Sequence, residues 1–480
     1  MIKLVHQEFR MFPKIKFKRM KYKFFNRLIV LAIVFVVIQP FSRMDAKQPE
    51  MVSFKTPKRP AGQENVLQLQ CDPISTVRVA FVGLGKRGYN AVRRFMFLEG
   101  IEVVALCDVN KEAIEKSQQL LAKNGKKPAL EFTGEKDWKK VCELENVDLV
   151  YNCTHWDLHT PIAVYAMEKG KHVALEVPAA LTVKECWELV NTAERTRRHC
   201  MMLENCCYDF FEMATLNMAQ HGLLGEIVHV EGAYIHDLRE NNFKDPQKGG
   251  YYDMWRLKYN EKYQANLYPT HGLGPVCQAL NIHRGDKMNY LVSMSSGQFG
   301  LTEYAKSKFG SESDFAKRKY QKGDMNTTII KTEKGKTIMI QHDVTSPRPY
   351  DRIHKLSGTK GYVQKYPIEG VALEPNTHKF LPEDELKQLL KEYEHPIVKE
   401  VGELAKKVGG HGGMDFIMDY RLIYCLRNGL PLDQDVYDAA EWSCLVELTE
   451  ISVKKGSVPV QIPDFTRGDW NKLKGLTFAK

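Results

Sequence analysis

The chain lacks the marks by which several common chemistries announce themselves. Its eleven cysteines include no C-x-x-C pair, which excludes a zinc ribbon and a thioredoxin-type motif. His236-Asp237 would begin a metal site, but no third ligand follows at a supporting spacing, so no metal is expected. No convincing pair of Asp or Glu residues presents itself as acid and base. Short-period repeats and low-complexity tracts are missing. The body of the chain also lacks a basic patch. The formal charge is +10, yet residues 1–50 hold eleven Lys and Arg against Glu8, Asp45 and Glu50, which leaves +2 for the remainder. Nucleic-acid binding thereby loses its electrostatic support.

What is present begins with that basic start. It is followed by Leu28–Ile38, "LIVLAIVFVVI", then Pro40 and "SRMDA". A positive segment, an apolar stretch of this length and a nearby small residue form an export-signal pattern. The stretch is short of the ~20 apolar residues a membrane span needs, so an uncleaved anchor attaching the chain to a membrane is the alternative. Met11 or Met20 is an alternative start. Residues 47–76, rich in Pro, Gln and Lys, look like a linker. With 480 residues, 43% hydrophobic and 27% charged, the chain is long enough for two domains with substantial cores. Cys107 and Cys153 lie in apolar runs where a buried thiol is expected; cysteine pairing elsewhere stays open.

The strand-like "VRVAFV" (77–82) leads into Gly83-x-Gly85-x-x-Gly88 and a helical segment, and a second strand, "EVVALCD", ends at Asp108. A bare G-x-G-x-x-G says little, but between a strand and a helix it is the dinucleotide-binding arrangement. The glycines let the backbone approach the pyrophosphate, and the helix N-terminus stabilises its charge. Gly83, Gly85, Lys86, Arg87 and Gly88 are the expected cofactor contacts. A carboxylate at Asp108 suits a ribose with free hydroxyls and favours NAD. Arg87 is the one feature that would suit a 2′-phosphate, though it can equally meet the pyrophosphate. Further strands are expected at 147–154, 172–177 and 200–205, with helical stretches between them, so the sheet is parallel and doubly wound. Ligands meet such sheets beyond the strand C-termini, which adds Trp156, Asp157, Leu158, His159, Glu176, Val177 and Asn205.

From about Tyr208 the pattern changes. The runs 226–236, 289–297, 325–344 and 352–367 alternate as half-buried strands do, the third broken by a "TEKGKT" turn. Helical stretches are expected near 384–408 and 414–428. The fold class is therefore α/β. An N-terminal Rossmann domain with a parallel sheet (77–207) precedes a C-terminal α+β domain (208–480) with an open, mainly antiparallel sheet. Between the two helical stretches stands "VGGHGGMDF" (408–416), a histidine with two glycines on each side. On its own it reads as a helix-leading turn.

"GLGKRG", "NCTHWDLHTPIAVYAMEKGKHVALEVPAALT", "ENCCY", "YPTHGLGPV" (268–276) and "GGHGGMDF" together resemble the Gfo/Idh/MocA oxidoreductases, and within them glycoside hydrolase family 109, the NAD-dependent α-N-acetylgalactosaminidases. The resemblance runs from about Val77 to the C-terminus. Ordinary dehydrogenases of the superfamily carry Glu-Lys-Pro after the fourth strand, with the lysine assisting proton transfer. Here the place reads Glu176-Val177-Pro178, and valine cannot carry a proton. An exported enzyme also has no obvious free nicotinamide pool, which favours redox-neutral chemistry over net oxidation.

The resemblance implies that Tyr234, Arg256, Tyr268, Pro269, Thr270, His271 and Tyr350 contact a sugar. It implies a tightly bound NAD recycled at each turnover. The implied route is transient oxidation at C3, elimination across C1–C2, water addition and re-reduction, and such NAD-dependent families are exceptions to the two-carboxylate design. His411 is then the expected acid/base at the leaving group, since histidine titrates near working pH. His271 and Tyr208 are further candidates for proton transfer at C3 or C2. The expected substrate is a glycan bearing terminal α-linked N-acetylgalactosamine, and association into a homo-oligomer through the exposed sheet face is a further implication. A sugar or inositol dehydrogenase, and a noncatalytic glycan-binding protein with bound NAD, are the rival readings.

Overall fold

The computed structural model describes residues 50–479. The signal or anchor expected over 1–46 lies outside them; among the described residues no helix is long and apolar enough to cross a membrane. The first sheet has six parallel strands: β1 (Val77–Val82), β2 (Ile101–Cys107), β3 (Leu130–Phe132), β4 (Leu149–Asn152), β5 (His172–Leu175) and β6 (Cys200–Met202). Their order is β3-β2-β1-β4-β5-β6, the Rossmann order whose reversal between β1 and β4 opens a crevice at the strand C-termini. Helices α1 (Lys86–Phe95), α2 (Lys111–Lys123), α3 (Trp138–Glu143), α4 (His159–Glu168) and α5 (Val183–Thr196) make the crossovers. β4 and β5 are buried along their whole length. This is why they read as continuous apolar runs rather than alternating ones.

Helix α6 (Phe210–Gln220) leads to a second, eight-stranded sheet. It comprises β7 (Ile227–Ile235), β8 (Met288–Ser295), β9 (Asn326–Thr332), β10 (Thr337–Asp343), β11 (Lys355–Gly358), β12 (Gly361–Gln364), β13 (Gly370–Leu373) and β14 (Val460–Gln461). The order is β13-β12-β11-β7-β10-β9-β8-β14. Among the strands of this sheet in the described residues, β7 and β10 pair in parallel and the other pairs are antiparallel, so the sheet is mainly antiparallel. The "TEKGKT" interruption is the β9–β10 turn.

Between β7 and β9 the chain makes a satellite that the sequence did not announce. It comprises α7 (Arg239–Phe243), α8 (Trp255–Lys262), α10 (Gly300–Phe309) and α11 (Asp314–Lys317) around Phe243, Leu257, Leu301 and Tyr320. Helix α9 (Thr270–Ala279) runs against β7 in intimate contact. A Cβ on Gly272 would lie 2.3 Å from the backbone nitrogen of Ala233. The helical stretch expected over 384–408 divides into α12 (Glu383–Glu392) and α13 (Pro396–Val408). Pro396 lacks an N–H and takes a first-turn position, with His395 accepting from the Ile397 nitrogen. Helices α14 (Met414–Asn428) and α15 (Val436–Lys454) complete the molecule.

One expectation changes and one open question closes. The linker expected over 47–76 does not run free from residue 52 onward. Val52 bridges to Val460, Arg59 pairs with Glu194 at 3.2 Å, and the Val66 nitrogen donates to the Tyr437 hydroxyl at 3.0 Å. Composition could not show this, because each partner lies more than a hundred residues away. The cysteines, left open by the sequence, are all free thiols, with Cys107 buried and Cys153 half-buried.

Gly272→Ala should cost about 1–3 kcal/mol of stability, the usual penalty of overpacking, and should displace the neighbouring His271. Denaturant unfolding with a crystal structure of the variant would check both.

Candidate active site

The loop after β1 is shaped by what it must pass. A Cβ on Gly83 would lie 2.7 Å from the Cys153 backbone, and one on Gly88 would lie 1.8 Å from the Gly83 carbonyl oxygen. Gly85 differs, since a Cβ there meets no protein atom within 4 Å. Protein packing thus demands Gly83 and Gly88, whereas Gly85 faces open space. Gly85 is also the residue that starts α1, with no side chain capping the helix. The first amides of α1 are left without a capping side chain beside Lys86, as a pyrophosphate site needs. Asp108 stands at the end of β2, as the ribose contact should. Its carboxylate already accepts from the Leu84 nitrogen at 2.5 Å and the Asn110 nitrogen at 2.7 Å, so it fixes the same loop.

Arg87 turns from this loop toward two carboxylates. Its Nε donates to Glu176 at 2.7 Å, and its Nη1 donates to Asp415 at 3.0 Å. Asp415, 1% exposed, also accepts from His411 Nδ1 at 2.9 Å, from Asn205 Nδ2 at 2.5 Å and, more distantly, from Arg94 at 3.5 Å. Burial pushes the Asp415 carboxyl up, but Arg87, His411 and Arg94 outweigh it and hold it well below the usual carboxylate range. His411 remains 60% exposed, and with Nδ1 committed to Asp415 its Nε2 is the ring atom offered to a ligand. The flanking glycines now have a reason. Residues 409–413 all take positive φ, His411 included at +46°. A Cβ on Gly410 would lie 2.8 Å from that of Asp415, and one on Gly413 would lie 2.9 Å from the Ala405 backbone.

Across the crevice His271 forms a second dyad. Its Nδ1 donates to Glu204 Oε1 at 2.7 Å, and Glu204 is fully buried. Burial raises the Glu204 carboxyl, yet His271 and further hydrogen bonds bring it below its ordinary value. Tyr268 and Tyr234 stand 4.8 and 5.2 Å from the His271 ring, and Tyr350 lies 6.2 Å from Tyr234. Pro269 and Thr270 start α9 and so aim His271. Arg256 rests on the rings of Trp156, Tyr251, Trp255 and Tyr268 at 5.0–5.5 Å. Both dyads act electrostatically on one neighbour, His236. Burial chiefly, then Arg256, His271 and His411, drive the His236 imidazole below its usual range. Glu176 and Arg87 likewise act on Tyr268.

Several expected contacts are spent inward. Tyr208 is 1% exposed and donates its hydroxyl to Asp433 at 3.3 Å, so it offers no proton to a substrate and leaves the catalytic set. His159 is buried between the carbonyls of Pro178 (2.7 Å) and Thr154 (3.0 Å); it braces the crevice rather than contacting it. Trp156 donates to the Val177 carbonyl at 3.0 Å and packs on Trp255 and Tyr259. Asp157 is exposed and Leu158 half-buried beside it. Sequence reasoning missed Glu204 and Asp415, and weighed His236 only as a metal ligand. Only Asp415 left a local signal, at i+4 from His411 on the same turn. Glu204, Cys206 and His271 lie within 4.8 Å of one another. The Arg352 guanidinium donates to the Cys206 sulfur at 3.1 Å, however, and a cation there would face a positive charge.

This geometry agrees with what the chain resembles. Residues 77–204 match the family model for an oxidoreductase NAD-binding Rossmann fold, and residues 208–472 match the C-terminal domain of glycosyl hydrolase 109. The chain belongs to glycosyl hydrolase family 109. It is 56% identical to the Alpha-N-acetylgalactosaminidase of Bacteroides fragilis, over 87% of this chain and 97% of that protein. Identity to the Glycosyl hydrolase family 109 protein 2 of Phocaeicola vulgatus is also 56%, over 86% and 100%. Levoglucosan dehydrogenase, solved with NADH and L-sorbose, superposes with TM-score 0.61 over 82% of this chain and 100% of its own, at 16% identity. That likeness concerns the fold. The family 109 chain is an NAD-dependent glycoside hydrolase, and the dehydrogenase reading is the less supported one.

Gly85→Ala should fold as well as the parent, because its Cβ meets no protein atom, yet should weaken NAD binding at least about tenfold. Gly88→Ala should fail to fold. Thermal melts with NAD titration would separate the two.

Proposed function

We propose that this enzyme releases terminal α-linked N-acetylgalactosamine from glycans by a redox-neutral route, with NAD held through the whole cycle. One observation carries the reading. Arg87 joins the cofactor loop to His411 through Asp415, while Val177 occupies the place where dehydrogenases keep a proton-carrying lysine. The relative from Bacteroides fragilis, an Alpha-N-acetylgalactosaminidase by name, supports the choice of sugar. Gly83, Gly85, Lys86 and Gly88 with the first turn of α1 would hold the pyrophosphate, and Asp108 the ribose. When bound, the nicotinamide supplies reversible hydride acceptance at C3 of the sugar.

The chain's own groups do the rest. Tyr234, Tyr268 and Tyr350 present rings and hydroxyls to the pyranose, and Arg256 adds a fixed cation. Glu204 holds the Nδ1–H of His271, so Nε2 is free to accept the C3 hydroxyl proton. A C3 ketone acidifies C2–H, so that proton passes to solvent water as elimination across C1–C2 expels the leaving group. Asp415 orients His411 so that its Nε2–H protonates the departing oxygen; water then adds its oxygen at C1 while a solvent proton returns to C2, and restoring the C3 alcohol would take back the proton held on His271 Nε2. The exposed, glycine-flanked position lets His411 reach different leaving groups. We read the N-terminal segment as an export signal, or alternatively an anchor, and the open face of the eight-stranded sheet as a surface for self-association.

Two measurements bear on this. Purified protein without added NAD, given an aryl α-N-acetylgalactosaminide in heavy water, should release sugar carrying deuterium at C2. No release, with added NAD reduced by free sugars, would return the protein to the dehydrogenases. His411→Ala should slow an alkyl or glycan leaving group about 10²–10⁴-fold, the usual worth of general acid catalysis, and spare an activated aryl one. Equal losses would remove His411 from the acid role.

A further inference from the structure

Behind the rings that face the sugar lies a cavity of about 20 Å³, lined in part by Tyr234, Asn242, Arg256, Asn260 and His342. Asn242, His342 and Asn260 are 0%, 1% and 3% exposed. Both amide atoms of Asn242, Oδ1 of Asn260, Nδ1 of His342 and Nε of Arg256 are sealed from solvent without a hydrogen-bond partner among the described residues. Burying a polar atom away from water without a partner is costly, and such atoms are uncommon in folded proteins. Several gathered in the residues around one small cavity point to an occupant that pairs most of them.

Size and polarity name it. A water needs about 10–15 Å³ of such space and makes two to four hydrogen bonds; an acetamido or hydroxymethyl group is too large. Asn242 Nδ2 and Arg256 Nε only donate, whereas the two amide oxygens only accept. An anion would satisfy the donors and repel the oxygens, and a cation would meet Arg256. The occupant must donate and accept and carry no charge.

We propose that this cavity is an internal water site, held by Asn242, Asn260 and His342, that fixes the edge of Arg256 from behind. The surrounding rings set the plane of the guanidinium and Tyr234 accepts a hydrogen bond from it on one side, but a single hydrogen bond resists rotation within that plane weakly. A hydrogen bond at Nε stops that rotation and aims the remaining N–H groups at the sugar. Asn242 is therefore a positioning residue, acting through the water and Arg256.

The test has two arms. Crystals of the full chain with NAD, grown with bromide in the mother liquor, should show one ordered oxygen within hydrogen-bond distance of Asn242 and His342 and no anomalous signal there. A dry cavity, or an anomalous bromide peak, overturns the proposal. The kinetic arm rests on the glycosidase reading. Asn242→Leu should raise KM for the aryl glycoside about tenfold with kcat within about threefold, and Asn242→Ser, which leaves room for a second water, should restore KM. An unchanged KM in the leucine variant overturns the positioning role. Failure of the glycosidase reading itself would remove turnover from the parent enzyme and leave the crystallographic arm intact.

Discussion

One buried carboxylate holds this molecule's chemistry together. Asp415 accepts from Arg87, Arg94, Asn205 and His411, which come from α1, from the turn after β6 and from the loop before α14. Leaving such a charge buried without its partners costs about 3–5 kcal/mol, so the cofactor loop and the histidine loop are tied to each other. Arg94 extends the tie inward. It donates to Asp419 at 2.6 Å, and Tyr151 at the heart of the parallel sheet donates to the same residue at 2.7 Å. The exposed His411 is thus anchored through two steps to a fully buried strand.

The same design recurs across the crevice with different parts. His271 leans on Glu204 as His411 leans on Asp415, and in both dyads Nδ1 is spent so that Nε2 faces the ligand. The surroundings differ. His271 sits at the start of α9, pressed on β7 by the missing side chain of Gly272, among tyrosines that leave it little freedom. His411 stands on a strained turn in water. The proposed route would use this contrast, with the fixed histidine serving the sugar and the exposed one the leaving group.

Legibility in the sequence followed the range of the interactions. The Gly83–Gly88 motif, five of the six strands of the parallel sheet and the alternation of β7 to β12 were readable because their patterns are local; the three-residue β3 was too short to show one. His411 was conspicuous for its glycines, although nothing local said why they were there. Glu204 was invisible, since its partner lies 67 residues away. Tyr208 and His159 occupied positions where functional residues belong and proved to be braces, because a strand end supplies internal supports as well as ligand contacts. The satellite around Phe243 escaped because its short helices carry too few turns to establish a period.

By itself the sequence determined the two kinds of sheet and the cofactor loop, since these depend on residue type and near spacing; the meaning of Val177 came from the family resemblance. Only the tertiary structure decided which histidines have carboxylate partners, which tyrosines face the crevice and where polar atoms share a cavity. Those depend on the direction in which a side chain leaves its element and on what a distant segment brings against it. Pairing energies act over a few ångströms of space, whatever the distance along the chain.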